Sequence, residues 1–284
     1  VHALPFALAT LAAAIMAPAL LRALIEGGHV RANYRDRSVA FPFGVLSVAG
    51  ALVALIPLAL VQRLKLTDVF YPEASAVAVY VLGVSFLGLL DDTLGGEPRG
   101  WRGHGRALLH MRLSTGVLKA VGSLGLALYA ISYMGLTTGR WLLASAVLVL
   151  ATNVFNLLDL RPGRATKVFV ALGAGLTIGA ASVRPLWALG LFVGPALLAG
   201  LYDLRERAML GDTGANLLGA LAGLWLVLTL STLGQAVALG VLVLVTVYGE
   251  LRSISTLVDR IPLLRQLDSW GRPHGLSQDD LTPL

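Results

Sequence analysis

Four polar groupings interrupt an otherwise apolar chain, and each carries residue types suited to phosphate or metal chemistry. The first is Asp91-Asp92, directly after the apolar run 81–90. Adjacent carboxylates repel each other unless a cation, either Mg²⁺ or a nearby Lys, relieves them. Alone, such a pair is also a common turn. The second is Asn153-x-x-Asn156-x-x-Asp159. Residues three apart share one broad helix face, and Asn and Asp supply the hard oxygens that Mg²⁺ prefers. The same face could instead form a hydrogen-bonded seam between helices. Arg161, Arg164 and Lys167 follow at once, either to clamp phosphates or to mark one side of a membrane. The third is Gly211-Asp212-Thr-Gly, which opens an apolar helix whose N-terminus favours anions; Asp212 could also be a plain N-cap. The fourth is the basic stretch Arg99, Arg102, His104, Arg106, His110 and Arg112, suited to a diphosphate or to anionic headgroups. Lys119 stands apart, because an ammonium inside an apolar segment needs a partner; Asp91 or Asp92 is the natural one.

These residues need apolar helices to hold them. Of 284 residues, 56% are hydrophobic and only 13% charged, against about a quarter in an ordinary soluble domain. That excludes a water-soluble globule, a coiled coil and a disordered chain. With no Cys, thiolate metal sites, disulfides and Cys nucleophiles are excluded too. Nine segments are apolar enough to span: about 3–25, 41–61, 74–90, 113–134, 141–158, 167–182, 185–203, 213–230 and 235–250. The sixth and seventh are the weakest. Strand-like alternation is absent, so the fold class is an all-α polytopic membrane protein of one domain, residues 1–284. With the N-terminus outside, every Lys and Arg except Arg63, Lys65, Arg140 and Arg184 falls on the cytoplasmic side. So does every carboxylate except Asp68 and Glu73. The net charge of +6 therefore reads as a topology signal and not as a nucleic-acid surface. The first segment lacks a basic leader and reads as an N-out anchor. Segment 251–275 should lie along the cytoplasmic interface, with Trp270 at headgroup depth. Gly175/Gly179 and Gly219/Gly223 are small-residue pairs, read as helix-packing points.

Taken in order, Asp-Asp at a helix end, a Lys in the next helix, Asn-x-x-Asn-x-x-Asp and Gly-Asp-Thr-Gly resemble the polyprenyl-phosphate N-acetylhexosamine-1-phosphate transferases. That family includes the phospho-N-acetylmuramoyl-pentapeptide transferases. The stretch Arg35-Asp-Arg37-Ser-Val-Ala-Phe-Pro42-Phe-Gly44 adds to the likeness, which covers about residues 31–275. The resemblance implies a multi-pass enzyme of the bacterial plasma membrane with its active site at the cytoplasmic face. It would transfer sugar-1-phosphate from a UDP-sugar to a polyprenyl phosphate, releasing UMP, with Mg²⁺ or Mn²⁺ as cofactor. It assigns Asp212 and Asn156 to the metal. Asp91 becomes the base or nucleophile, and Asp92 holds Lys119 or the metal shell. Asn153, Asp159, Arg161, Arg164 and His274 fall to the substrates, and a homodimer is a further implication.

The chain also departs from the family. Asp159 is followed by Leu-Arg161-Pro162-Gly-Arg164, where the family carries a second Asp at the position of Pro162. The His-rich motif is reduced to Arg272-Pro-His274-Gly, and the resemblance implies a tenth helix beyond these residues. The alternatives are an inactive relative that binds lipid diphosphates, a transporter or lipid scaffold, and a CDP-alcohol phosphotransferase. The last lacks its further Asp residues here.

Overall fold

A run of about 20 apolar residues has no water to bond to in a membrane, so its backbone must close its own hydrogen bonds as a helix. The computed structural model describes residues 1–64, 68–95 and 115–273, and helices dominate it. They are α1 (Leu4–Glu26), α2 (Val45–Arg63), α3 (Ala74–Leu94), α4 (Thr115–Ser132), α5 (Thr138–Leu158) and α6 (Arg164–Gly179). They continue with α7 (Arg184–Ala188), α8 (Gly190–Leu204), α9 (Gly211–Thr229), α10 (Thr232–Leu251), α11 (Ile254–Arg260) and α12 (Pro262–Ser269). A two-stranded antiparallel hairpin, β1 (Val30–Ala32) and β2 (Ser38–Ala40), follows α1, with Val30 opposite Ala40. No strand pattern foretold it.

Seven of the described helices are long and apolar enough to cross a membrane: α1, α2, α3, α4, α5, α9 and α10. The other two expected spans are shorter. α6 has 16 residues, and the segment 185–203 breaks at Leu189 into α7 and the 15-residue α8. At 1.5 Å per residue α8 reaches only about 22 Å, less than a hydrocarbon core of about 30 Å.

α9 is the axis. Every residue from Gly211 to Val227 except Asp212 is buried, whereas α10 keeps only Gln235, Leu242 and Thr246 buried. Small residues allow this. A Cβ on Gly219 would lie 2.5 Å from the Thr152 Cα, and one on Gly88 would lie 2.4 Å from the Asp212 carbonyl oxygen. α3 and α5 can therefore approach α9 at backbone distance. The Gly219/Gly223 pair is a packing point as expected. Gly175 and Gly179 show no such contact, since nothing among the described residues lies within 4 Å of a Cβ on either. Around α9, α1 packs on α2 and α8, α4 on α3 and α5, and α10 on α5. One continuous apolar core joins them, from Ala9 in α1 to Leu242 in α10.

Candidate functional site

Helix polarity gathers the polar residues. α3 and α5 end where α4 and α9 begin, so Asp91 and Asp92, Lys119, Asn156 and Asp159, and Asp212 converge at one end of the bundle. α3 runs four residues beyond the expected end of its apolar run, and both acids lie in its last turns.

Asp92 has a role that its type alone did not disclose. The first N–H groups of a helix lack partners. At α9 they find the Asp92 carboxylate: Oδ1 accepts from Asp212 N at 2.9 Å, and Oδ2 accepts from Thr213 N at 2.9 Å and Thr213 Oγ1 at 2.7 Å. The expectation that Asp92 holds Lys119 is thus corrected, and so is the N-cap reading of Asp212. A carboxylate from α3 caps α9, which leaves the Asp212 side chain free. Gly211 permits the approach. Its φ is +69°, and a Cβ there would stand 2.7 Å from Asp92 Oδ2.

The freed carboxylate joins a network. Lys119 Nζ donates to Asp212 Oδ2 and, at 3.2 Å, to Asp91 Oδ2. Asn156 Nδ2 donates to Asp212 Oδ2 at 3.0 Å. One turn on, Asn216 is buried with its Oδ1 3.5 Å from Asn156 Nδ2, and its own Nδ2 has no partner among the described residues. The Lys119, Asp91 and Asp212 side chains remain 20%, 24% and 27% exposed, so solvent reaches the network.

Asp159 caps the end of α5 beside this cluster. Burial, then the charges of Asp203, Asp212 and Asp92, push its carboxyl well above the usual carboxylate range. Asp203 is buried and accepts from Gly163 N at 2.6 Å, which fixes the turn between α5 and α6.

The residues do not all meet. Asn153 Nδ2 reaches Thr246 Oγ1 on α10 at 3.5 Å, so it belongs to a seam between helices. Arg164 is corrected as a substrate ligand. It is 4% exposed and forks onto Asp268 at 2.7 and 3.0 Å, with Ser255 Oγ as a third partner. Arg272 reaches the same carboxylate at 3.0 Å and donates to the Pro162 carbonyl at 2.8 Å. Burial works against a charged Asp268, but Arg164 and then Arg272 hold its carboxyl below the usual range. Lys167 donates to the carbonyls of Leu267, Asp268 and Trp270. Arg164 and Lys167 therefore fasten α12 to the bundle. Arg161 lies 4.8 Å from the Tyr34 ring centre, on the hairpin. His274 and the basic stretch Arg99–Arg112 lie outside the described residues.

Sequence reading also missed Glu206 and Tyr34. Glu206 is buried, accepts from Tyr34 Oη at 3.1 Å and pairs with Arg35 at 3.3 Å. With backbone bonds from Phe43 and Gly44 to Met209 and Leu210, this pins the hairpin to the loop that opens α9. The charge run 203–207 was the available signal.

No group of three His, Asp or Glu converges among the described residues. Two carboxylates do share one cation, the Lys119 ammonium, with an Asn carboxamide beside them. Mg²⁺ is commonly held by one or two carboxylates plus substrate phosphates, so Asp91, Asp212 and Asn156 fit it as a shared ion. No family model matches the chain, and no curated protein matches it either.

Proposed function

We propose that the chain transfers sugar-1-phosphate, as N-acetylhexosamine-1-phosphate, from a UDP-sugar to a polyprenyl phosphate at the cytoplasmic face of a bacterial plasma membrane. The observation that carries this reading is the Asp91–Lys119–Asp212–Asn156 network on the N-terminus of a buried helix, at the polar end of an apolar bundle. The orientation rests on the one-sided distribution of Lys and Arg. A full count of nine crossings would include α6 and the α7–α8 pair.

In the transfer, a lipid phosphate oxygen attacks the β-phosphorus of the UDP-sugar. A new P–O bond forms, the bond to the bridging oxygen breaks, and UMP leaves with that electron pair. Asp91 takes the proton of the lipid phosphate as general base. Lys119 offsets charge on the phosphates, and the α9 N-terminus favours anions beside it. Asp212 and Asn156 would hold Mg²⁺, which when bound would neutralise charge on the two phosphate groups and align them. Asp92 positions Asp212 by capping α9, and Asp159 faces the donor.

One observation favours a second reading, a binding protein for lipid diphosphates without turnover: Lys119 already bridges both carboxylates, and Pro162 stands where an Asp is expected. The same assay separates the two. Purified protein with Mg²⁺, undecaprenyl phosphate and a panel of UDP-sugars should release UMP only when the lipid is present. Lipid-dependent binding of UDP-sugar with no UMP from any donor would leave the second reading standing.

A further inference from the structure

The end of the bundle opposite the carboxylate network holds a cavity of about 660 Å³. The start of α3, the end of α4, the start of α5, the end of α9 and the start of α10 line it, with Arg184 on the rim. Its volume falls within the range of small-molecule sites.

The lining is divided by chemistry. Ala76, Val79, Ala130, Met134, Val227 and Leu228 make an apolar wall. The rim is polar. Arg184 forks onto Glu73 at 2.9 and 3.1 Å, so those two charges cancel. Arg140 is exposed and has no acidic partner among the described residues, which leaves the rim with a net positive charge. Tyr129 and Tyr133 stand edge-to-face at 5.3 Å and are 55% and 72% exposed. Exposed tyrosines of this kind mark the depth of lipid headgroups. Gln235 is buried in the wall. Its Nε2 is spent on the carbonyls of Val227 and Leu230, while its Oε1 lacks a partner among the described residues.

We propose that this cavity is a binding site for an anionic glycerophospholipid of the leaflet opposite the active site. An acyl chain lies along the apolar wall and the phosphate sits against Arg140, at the level of the two tyrosines. A second copy of the chain fits less well. A two-fold contact places the same surface on both sides, bringing two like-charged Arg140 rims to one seam. The site does not depend on the transferase reading, since it shares no residue with the carboxylate network.

The test is native mass spectrometry of the full chain in detergent, titrated separately with phosphatidylglycerol and phosphatidylcholine. The wild type should retain one phosphatidylglycerol about fivefold better than phosphatidylcholine, as one unpaired Arg at a headgroup predicts. Arg140→Glu should abolish the preference. Val79→Trp, at a position 39% exposed in the cavity wall, should weaken retention of both lipids by blocking the wall. Equal retention of the two lipids by wild type would overturn the site. So would unchanged retention in both variants, or a lipid-free dimer whose interface needs Val79.

Discussion

The two ends of the bundle use the same helices and solve the same capping problem in different ways. At the far end, α10 begins with its own N-cap: Ser231 Oγ accepts from Gly234 N at 3.3 Å. At the near end, α9 begins without a side-chain cap of its own and takes the Asp92 carboxylate from α3. A local cap consumes a residue of the helix it caps. A cap from another helix spares it, and Asp212 can then meet Lys119 and Asn156. The charges differ as well. At the far end Arg184 forks onto Glu73 and Arg140 is left without an acidic partner among the described residues, whereas at the near end Lys119 bridges Asp91 and Asp212, and Asp159 feels the charges of Asp203, Asp212 and Asp92. Two carboxylates on one ammonium leave room for a further cation, and no such surplus of acid is seen among the described residues at the other end.

The largest effect should fall on chemistry at the near end. Asp91→Asn keeps the shape of the side chain and removes its basicity. UMP release should fall by roughly a hundredfold or more, with a melting temperature close to wild type. A loss below threefold would remove Asp91 from the proton transfer. Lys119→Met comes next. It strands two carboxylates, and removing one partner of a buried pair costs about 3 kcal/mol at the lower end of such measurements, fitting here because the three side chains keep some solvent contact. Added Mg²⁺ should then raise the melting temperature of Lys119→Met more than that of wild type. Equal shifts would argue against a shared cation site.

The caps provide a matched pair. Asp92→Ala leaves two backbone N–H groups at the buried start of α9 and should cost about 2 kcal/mol. Ser231→Ala removes an exposed local cap and should cost about 1 kcal/mol or less. Only the first should lower turnover, because only the first moves Asp212. The reverse order in thermal denaturation would undo the contrast between the ends.

The smallest effect concerns α12. Asp268 titrates below its ordinary value of 3.8 in the folded chain. Its contribution is therefore present above that value and lost as pH falls through the lower, folded one. Acidification below about pH 4 should loosen α12, shown by faster proteolysis beside Trp270. In Asp268→Asn, α12 should be cut at a rate nearly independent of pH over the same window. A wild-type rate that stays flat would remove the Arg164–Asp268–Arg272 latch from the description.

Much of this was legible in the chain. Apolar runs placed the seven long helices to within a few residues, because a membrane leaves few other options. Asp91, Lys119, Asn156 and Asp212 were recognisable as the residues an apolar helix has least reason to carry. Long-range partners were not legible. Asp92 and Asp91 are the same residue type in adjacent positions, and only the packing of α3 on α9 tells the cap from the carboxylate that faces Lys119. Arg161 and Arg164 have the same ambiguity. One rests on Tyr34 and the other is buried against Asp268, a residue 104 positions away that no local pattern links to it. The hairpin escaped notice because two three-residue strands carry too little periodicity.

The most direct measurement is UMP release by three purified proteins side by side: wild type, Asp212→Asn at the near end and Ser231→Ala at the far end. Each is given Mg²⁺, undecaprenyl phosphate and the same panel of UDP-sugars. If transfer occurs at the Asp91–Lys119–Asp212 network, wild type and Ser231→Ala release UMP in step with the lipid, and Asp212→Asn is silent while remaining folded. Full release by Asp212→Asn, or no release by folded wild type with any donor, would contradict it.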